Sequence, residues 1–317
     1  MTTLADLAEL VRAPAALSVP GDVVAGAAAA GALGSRTPAL AGASVLLYWA
    51  GMAANDWADR GLDAVERPER PIPSGRVTPA AAVGLAAGLT AAGVGLAAAV
   101  GGRRAAALAV PLAATIWGYD LLAKNTAAGP AVMAACRGLD VLLGASGGRV
   151  TRALPAAVTV AAHTWTVTAL SRREVSGADA ALPMRTLAGT ALVAASAAIP
   201  QARRAAARAA DHSGATAQGR ATDEVGARVS RTRSAGVAAV LPAVLAGWYA
   251  ARYGAAQAEV IRDPSAGRVR AAVGAGITGL PALQGALTAR GGAGLLGLAV
   301  AAAAPLGRRL ARKVSPT

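Results

Sequence analysis

The feature that most constrains this chain is a series of apolar runs of about 20 residues, separated by short charged breaks. About 20 mostly apolar residues in a helix cross the hydrocarbon core of a bilayer. A mean hydropathy of +0.46 and 55% hydrophobic residues exceed what a soluble domain of 317 residues tolerates, because such a domain needs polar surface around its core. Period-two alternation of apolar residues, typical of membrane barrels, is absent. The sequence therefore predicts an all-α, polytopic transmembrane helical bundle.

The apolar runs define ten candidate helices within a single domain, 1–317. The last two are short and contain Pro281 and the Gly291–Gly292 pair, so nine spans plus a re-entrant or interfacial piece is the alternative. The long polar segment 201–234 is interpreted as an Ala/Arg helical extension followed by a flexible loop, with a functional lid as the alternative. The candidates lie at 15–34, 38–58, 79–100, 104–123, 128–147, 153–170, 181–200, 235–254, 268–289 and 291–307.

The net charge of +14 comes from arginines that fall largely in the predicted loops. This distribution suits helix ends facing anionic membrane lipid, and no basic patch interleaved with aromatics indicates nucleic-acid binding. The excess of Lys and Arg near span ends predicts a multi-pass protein of the cell membrane with the 59–78, 124–127, 171–180 and 255–267 loops in the cytosol. With ten spans, the basic tail at Arg308, Arg309, Arg312 and Lys313 is also cytosolic.

An acidic cluster stands at the end of the second long apolar run. Asn55, Asp59 and Asp63 are spaced i, i+4, i+8, so a helix places them on one face over two turns. Five of the seventeen acidic residues in the chain fall between Asp56 and Glu69. Three oxygen-bearing side chains on one face suit a hard divalent cation such as Mg²⁺, which shares oxygen ligands with phosphates and water. An ordinary solvated helix end is the alternative.

Lys124 is one of only two lysines among 31 basic residues. A lysine in so Arg-rich a chain indicates a compact point charge, which fits a phosphate partner; a helix C-terminal charge is the alternative. Asp120, one turn earlier, is predicted to hydrogen-bond Lys124.

Further polar residues lie inside predicted spans. Arg137 and Asp140, at i and i+3, form either a buried ion pair or a diphosphate-binding Arg oriented by Asp140. Asp22 either lines a cavity or bonds a neighbouring helix. His163 is interpreted as a satisfied core histidine, with a ligand or base as the alternative. The single cysteine, Cys136, excludes an internal disulfide.

These motifs resemble the UbiA superfamily of intramembrane prenyltransferases. The resemblance is carried by the Asn55-Asp56-x-x-Asp59-x-x-x-Asp63 pattern and by Arg70-Pro71-Ile72-Pro73-Ser74-Gly75. It extends more weakly to Tyr119–Lys124 and to Cys136–Asp140, and the segment Leu170–Val175 resembles the EboC-like branch. The resemblance implies a helical bundle around a central cavity, in which two acidic motifs hold Mg²⁺ and the diphosphate of an isoprenoid donor.

The second acidic motif departs from the family pattern of two aspartates four residues apart. Glu174 and Asp179 are five apart, so their side chains converge only if the helix unwinds near Gly177. Glu174 is therefore the better candidate ligand.

The resemblance predicts a Mg²⁺-dependent transferase that moves an isoprenoid chain from a prenyl diphosphate to a lipophilic or aromatic acceptor in contact with membrane lipid. A non-catalytic isoprenoid or pigment-precursor carrier on the same scaffold is the alternative. Predicted catalytic residues are Asp59, Asp63, Lys124 and Arg137; predicted metal ligands are Asn55, Asp59, Asp63, Glu174 and Asp179; and predicted substrate-binding residues are Arg67, Arg70, Arg173, Tyr119 and Asp140.

Overall fold

The computed structural model describes residues 2–179, 181–199 and 224–303, and the regular elements in those ranges are all helical. The all-α prediction is confirmed for this part of the chain. The helices are α1 (Leu4–Leu10), α2 (Pro20–Ala30), α3 (Thr37–Glu66), α4 (Pro79–Gly118), α5 (Gly129–Gly144), α6 (Val150–Ser171), α7 (Ala181–Ala198), α8 (Glu224–Arg262), α9 (Ala266–Arg290) and α10 (Gly294–Ala303).

The first predicted span, 15–34, is too long. A 3-10 helix covers Ala13–Ser18, and α2 begins afresh at Pro20, whose fixed φ suits a first helical turn. Gly31 ends α2 in the left-handed conformation with φ of 71°. The resulting helix is short and almost entirely buried.

Helix α3 is longer than its apolar run, which predicted an end at residue 58. It continues to Glu66 and stops just before Pro68, a residue that disfavours helical geometry in its predecessor. Asn55, Asp59 and Asp63, hereafter the acidic row, therefore all lie on regular helix, as their spacing requires.

Helix α4 is interrupted at Gly102, whose φ of 64° and ψ of −157° only glycine adopts readily. The break separates two helical segments and agrees with the predicted pair 79–100 and 104–123. After α4 the chain widens into a π-helical turn at Tyr119–Ala123, closed by a bond from the Lys124 amide to the Tyr119 carbonyl. Such turns reorient side chains and are frequent at functional sites.

Helix α2 forms the centre of the bundle, in contact with α3, α5, α6 and α9. Its contact with α5 is close because Gly26 faces the Val141 carbonyl and Gly144 faces the Val23 carbonyl, and a Cβ at either glycine would overlap that carbonyl. Small residues allow this approach between helices in lipid, where packing supplies the attraction.

A buried polar contact joins α6 to α8. His163 and Tyr249 are both fully buried, and the His163 Nδ1 lies 2.8 Å from the Tyr249 hydroxyl. His163 also meets the rings of Tyr249 and Tyr253 edge-on. The interpretation of His163 as a satisfied core histidine is confirmed.

Three helical stretches among the described residues are long and apolar enough to cross a membrane: Thr37–Glu66, Pro79–Ala123 and Val150–Ser171. In the predicted polar segment 201–234, residues 201–223 lie outside the described part, while 224–234 begin α8 instead of forming a loop. The basic tail from Arg308 also lies outside it.

Candidate active site

The row on α3 faces the π-helical turn that follows α4. The Asn55 Nδ2 donates to the Asp120 Oδ1 at 3.0 Å. One turn further along α3, the Lys124 Nζ lies 2.6 Å from the Asp59 Oδ1. Two successive members of the row are thus paired with two residues of the turn.

The predicted hydrogen bond between Asp120 and Lys124 is wrong. Asp120 lies within electrostatic range of Lys124 but accepts its hydrogen bond from Asn55. The physical reason is that the wider π-turn presents both side chains to α3, where each finds a partner of the complementary kind.

Asp63, the third member of the row, is buried and turns toward the loop 67–78. The Arg70 guanidinium lies 2.7 Å from Asp63 and 3.4 Å from Asp56, so it bridges two carboxylates of α3. Asp56 also receives the Arg12 Nη2 at 2.8 Å. Arg67, by contrast, is exposed at the end of α3.

A cavity of about 330 Å³ opens beside the row, enclosed by α3, α4, α5 and the segment before α2. Its walls combine apolar side chains with polar groups that include four predicted site residues, Asn55, Tyr119, Arg137 and Asp140. The lining residues are Arg12, Val19, Ser44, Leu47, Tyr48, Gly51, Met52, Asn55, Leu112, Ile116, Tyr119, Asp120, Met133, Cys136, Arg137 and Asp140.

The ion pair between Arg137 and Asp140, one of the two alternatives that the sequence left open, is not formed. The Arg137 Nε lies 2.9 Å from Asp22 on α2, a carboxylate with no exposed surface. Asp140 instead accepts from the Ser44 hydroxyl at 2.6 Å. Gln284 on α9 donates to Asp22 at 2.7 Å, so Asp22 bonds neighbouring helices, which decides between the two alternatives left open by the sequence.

Arg137 retains unused donor capacity. Its Nη2 atom is buried and has no hydrogen-bond partner among the described residues. A buried guanidinium nitrogen of this kind is costly unless an acceptor arrives, and Arg137 lines the cavity. Arg137 therefore brings to the cavity wall a guanidinium with one nitrogen that no described residue satisfies.

The second acidic motif lies in the loop between α6 and α7, where Gly177 has a φ of 77°. The Asp179 Oδ1 accepts from the Leu182 amide at 2.8 Å and so caps α7. Glu174 is half-buried; burial raises the pKa of its carboxyl, and the nearby charges of Arg270 and Arg67 oppose that change. Arg173 is exposed beside it.

The predicted metal ligands do not form a compact metal site. No three His, Cys, Asp or Glu side chains gather closely enough to hold a metal ion within the described ranges. The row's carboxylates are paired with cations of the chain itself: Asp59 with Lys124 and Asp63 with Arg70. The donor chemistry of the row still suits Mg²⁺, because carboxylate and amide oxygens are the ligands it takes.

Three polar cavity residues, Arg12, Ser44 and Tyr48, were not singled out from the sequence. Tyr48 stands seven residues before Asn55, a helical spacing that places it on the same face of α3, so periodicity alone could have found it. Arg12 left no such signal, because its contact with Asp56 is made from a separate segment.

The sequence pattern of the UbiA prenyltransferase family matches residues 19–207. Digeranylgeranylglyceryl phosphate synthase of Methanothrix thermoacetophila is 55% identical over 49 residues, which are 15% of this chain and 18% of that protein. The enzyme of the same name from Natronomonas pharaonis is 42% identical over 85 residues, 26% of this chain and 31% of that one.

Two solved structures share the fold. A structure of digeranylgeranylglyceryl phosphate synthase has a TM-score of 0.62 at 13% identity and covers 90% of this chain and 97% of its own. The apo structure of a UbiA homologue from Aeropyrum pernix has a TM-score of 0.56 at 20% identity and covers 89% and 96%. The matches to the curated relatives are local, because the chain spans only 18% to 31% of their lengths.

Proposed function

Since the chain belongs to the UbiA prenyltransferase family, we propose that it is an intramembrane enzyme that transfers an isoprenoid chain from a prenyl diphosphate to a small acceptor. One observation carries the proposal: the Asn55–Asp120 pair lines a largely apolar cavity, and the Asp59–Lys124 ion pair follows one turn away. An apolar chamber with charged groups at one edge suits a substrate with a long hydrocarbon tail and an anionic head.

In the proposed reaction the chain's own cations receive the leaving diphosphate. Lys124 would exchange Asp59 for a phosphoryl oxygen, and Arg70 would similarly turn from Asp63. Arg67 and Arg173 would add charge from the surrounding loops, and Arg137 would offer its unpartnered Nη2. If these exchanges occur when the substrate binds, the cations are already in place where negative charge develops and lower the barrier to reaction.

The proposed cofactor is Mg²⁺. Asn55, Asp59 and Asp63 would hold it together with Glu174, and Asp179 would join only if it released the cap of α7. When bound, the metal supplies positive charge that stabilises the departing diphosphate. Binding the metal would require Asp59 and Asp63 to release Lys124 and Arg70, the cations with which they are paired.

For the acceptor, we propose only a class of molecule. The family resemblance favours a lipophilic or aromatic acceptor, and the name of the curated relatives adds a glyceryl phosphate to the candidates. Tyr119, Tyr48 and Asp140 line the cavity and offer hydrogen-bonding groups beside its apolar wall. Any of these acceptors would meet both an aliphatic surface and a polar contact there.

The membrane arrangement is also a proposal beyond the three apolar helical stretches. Nine or ten spans would place the α3 row and the loop 67–78 at the cytosolic face, as the basic loops predict. The single domain would then enclose one cavity that is open to lipid for the isoprenoid tail.

The test is metal-dependent diphosphate release by the purified protein in lipid nanodiscs. Geranylgeranyl diphosphate serves as donor, with and without Mg²⁺ and with glycerol phosphate or an aromatic acid as acceptor. Asp59→Asn and Asp63→Asn should each reduce release by about 100-fold or more, since each removes a charge at the reacting centre. Glu66→Gln, an exposed acid on the same helix, is the matched control.

Two results would contradict the proposal. Parental activity in both aspartate variants would refute the assigned site. Binding of the donor without any metal-dependent release would favour the alternative, a carrier of isoprenoids on the same scaffold.

A further inference from the structure

The N-terminal segment, residues 2–12, lies outside the stretch matched by the family pattern yet is docked on the site. Leu10 and Val11 are buried in one cluster with Ala53 of α3 and with Ile72 and Val77 of the loop 67–78. This segment therefore covers the same end of α3 that bears the acidic row.

A polar clamp holds the segment in place. The Arg76 guanidinium lies 2.7 Å from Asp6 and 2.7 Å from Glu9. The Thr2 hydroxyl also donates to the Arg76 carbonyl at 2.9 Å. Hydrogen bonds from Thr3, with a further one from Arg76, lower the pKa of Asp6 from 3.8 to about 2.

Arg12 is the residue of this segment whose side chain lines the cavity. Its φ of 48° and ψ of 50° make it the sole non-glycine residue with positive φ in the described ranges. A side-chain-bearing residue is held in such a conformation only when its surroundings enforce it, and this is common at ligand sites. Here the conformation directs the side chain to Asp56 and to the cavity wall beside Met52.

Arg12 also has donors to spare. A guanidinium offers five N–H groups, and the contacts found among the described residues engage two of its nitrogens, one of them only with the Met52 sulfur at 3.7 Å. Asp56 also pairs with Arg70, so its single negative charge does not fully neutralise Arg12. With 40% of its side chain exposed, Arg12 is accessible to a bound anion.

We propose that Arg12 binds a phosphate oxygen of a substrate in the cavity, and that the N-terminal segment is a strap, fastened by Arg76, that positions it there. This inference rests on the proposed function. The phosphate belongs either to the isoprenoid donor or to a phosphorylated acceptor, and the two sources are distinguishable by their headgroups.

The test measures binding of two probes to the full-length protein in nanodiscs by calorimetry: inorganic pyrophosphate with Mg²⁺, and glycerol phosphate. Arg12→Ala should raise the Kd of one or both probes by about tenfold or more, the usual effect of losing a charge-assisted hydrogen bond. Arg12→Lys should restore part of it. Arg60→Ala is the matched control, because Arg60 lies on the same end of α3 but stacks on Trp57 outside the cavity lining.

Arg76 acts through Arg12, so its variants test the strap. Arg76→Ala should weaken binding of the same probe as Arg12→Ala, and in turnover raise KM for that substrate with less effect on kcat. Arg76→Lys should recover much of the loss. Circular dichroism and gel filtration of each variant separate this effect from a failure to fold.

The probe whose binding is lost identifies the substrate that Arg12 contacts. Loss for pyrophosphate alone assigns Arg12 to the donor, loss for glycerol phosphate alone assigns it to the acceptor, and loss for both assigns it to a shared subsite. Equal affinity of Arg12→Ala and Arg60→Ala for both probes, or a parent that binds neither, overturns the strap. A parent that binds a probe through Arg12 but transfers no prenyl group overturns the proposed function and leaves the strap standing.

Discussion

Asp22→Asn removes one charge from a pair that lies at the centre of the bundle. Asp22 has no exposed surface and Arg137 exposes only 15% of its side chain, so neither group recovers hydration in the folded protein when the other is lost. Breaking a buried pair at one partner costs about 3–5 kcal/mol, because it leaves an uncompensated charge. Asparagine can still accept from Gln284, so we expect a loss near the lower limit, about 3 kcal/mol.

The measurement is equilibrium unfolding of the purified protein by sodium dodecyl sulfate in mixed micelles, followed by circular dichroism. A loss of about 3 kcal/mol is a large part of the 5–15 kcal/mol typical of folded proteins, so the midpoint should shift clearly. The matched control is Asp263→Asn, since Asp263 and its partner Arg268 are both about half exposed. That surface pair should contribute at most about 1 kcal/mol.

A double variant tests the cause. Asp22→Asn combined with Arg137→Gln removes both charges, so it should recover part of the stability lost by Asp22→Asn alone, with a coupling energy of about 1–3 kcal/mol. Unchanged stability of the single Asp22→Asn variant would refute the reasoning, and so would strictly additive effects in the double variant.

Two further predictions concern the packing of the bundle. Gly144→Ala should destabilise by about 1–3 kcal/mol in the same micelle assay, because the new methyl group would overlap the Val23 carbonyl, whereas Gly84→Ala, with open space around it, should not destabilise. His163→Ala should destabilise by about 2–4 kcal/mol, because it leaves a cavity and removes a buried hydrogen bond of the Tyr249 hydroxyl, yet the refolded fraction should keep its kcat if His163 is structural. A selective loss of kcat at unchanged stability would contradict this.

The acidic row on α3 shows which features of the site can be predicted from the sequence. Spacing of i, i+4, i+8 places Asn55, Asp59 and Asp63 on one face whatever the rest of the chain does, since the helix repeat is local. The structure adds that each is paired: with Asp120, Lys124 and Arg70 respectively. Those partners lie on other elements, so no local rule could select them.

Errors in prediction have the same origin. Arg137 and Asp140 are neighbours on one helix, yet Arg137 reaches across to Asp22 and Asp140 to Ser44. The spacing of two residues on one helix shows that they could pair. It does not show whether either residue has a better partner on a facing helix. Arg12 was missed because its role depends on a left-handed backbone turn and on how the N-terminal segment docks.

By itself the sequence determined that the chain is a bundle of apolar helices with an oxygen-rich face at the end of α3, because hydrophobicity and helical periodicity are properties of short segments. Only the tertiary structure decided which charges meet, where the cavity lies, and that Arg12 reaches it. In a core of alanine and glycine, helices pack with little side-chain shape to fix their rotation, so the pairing of buried charges is settled by close contacts such as those of Gly26 and Gly144.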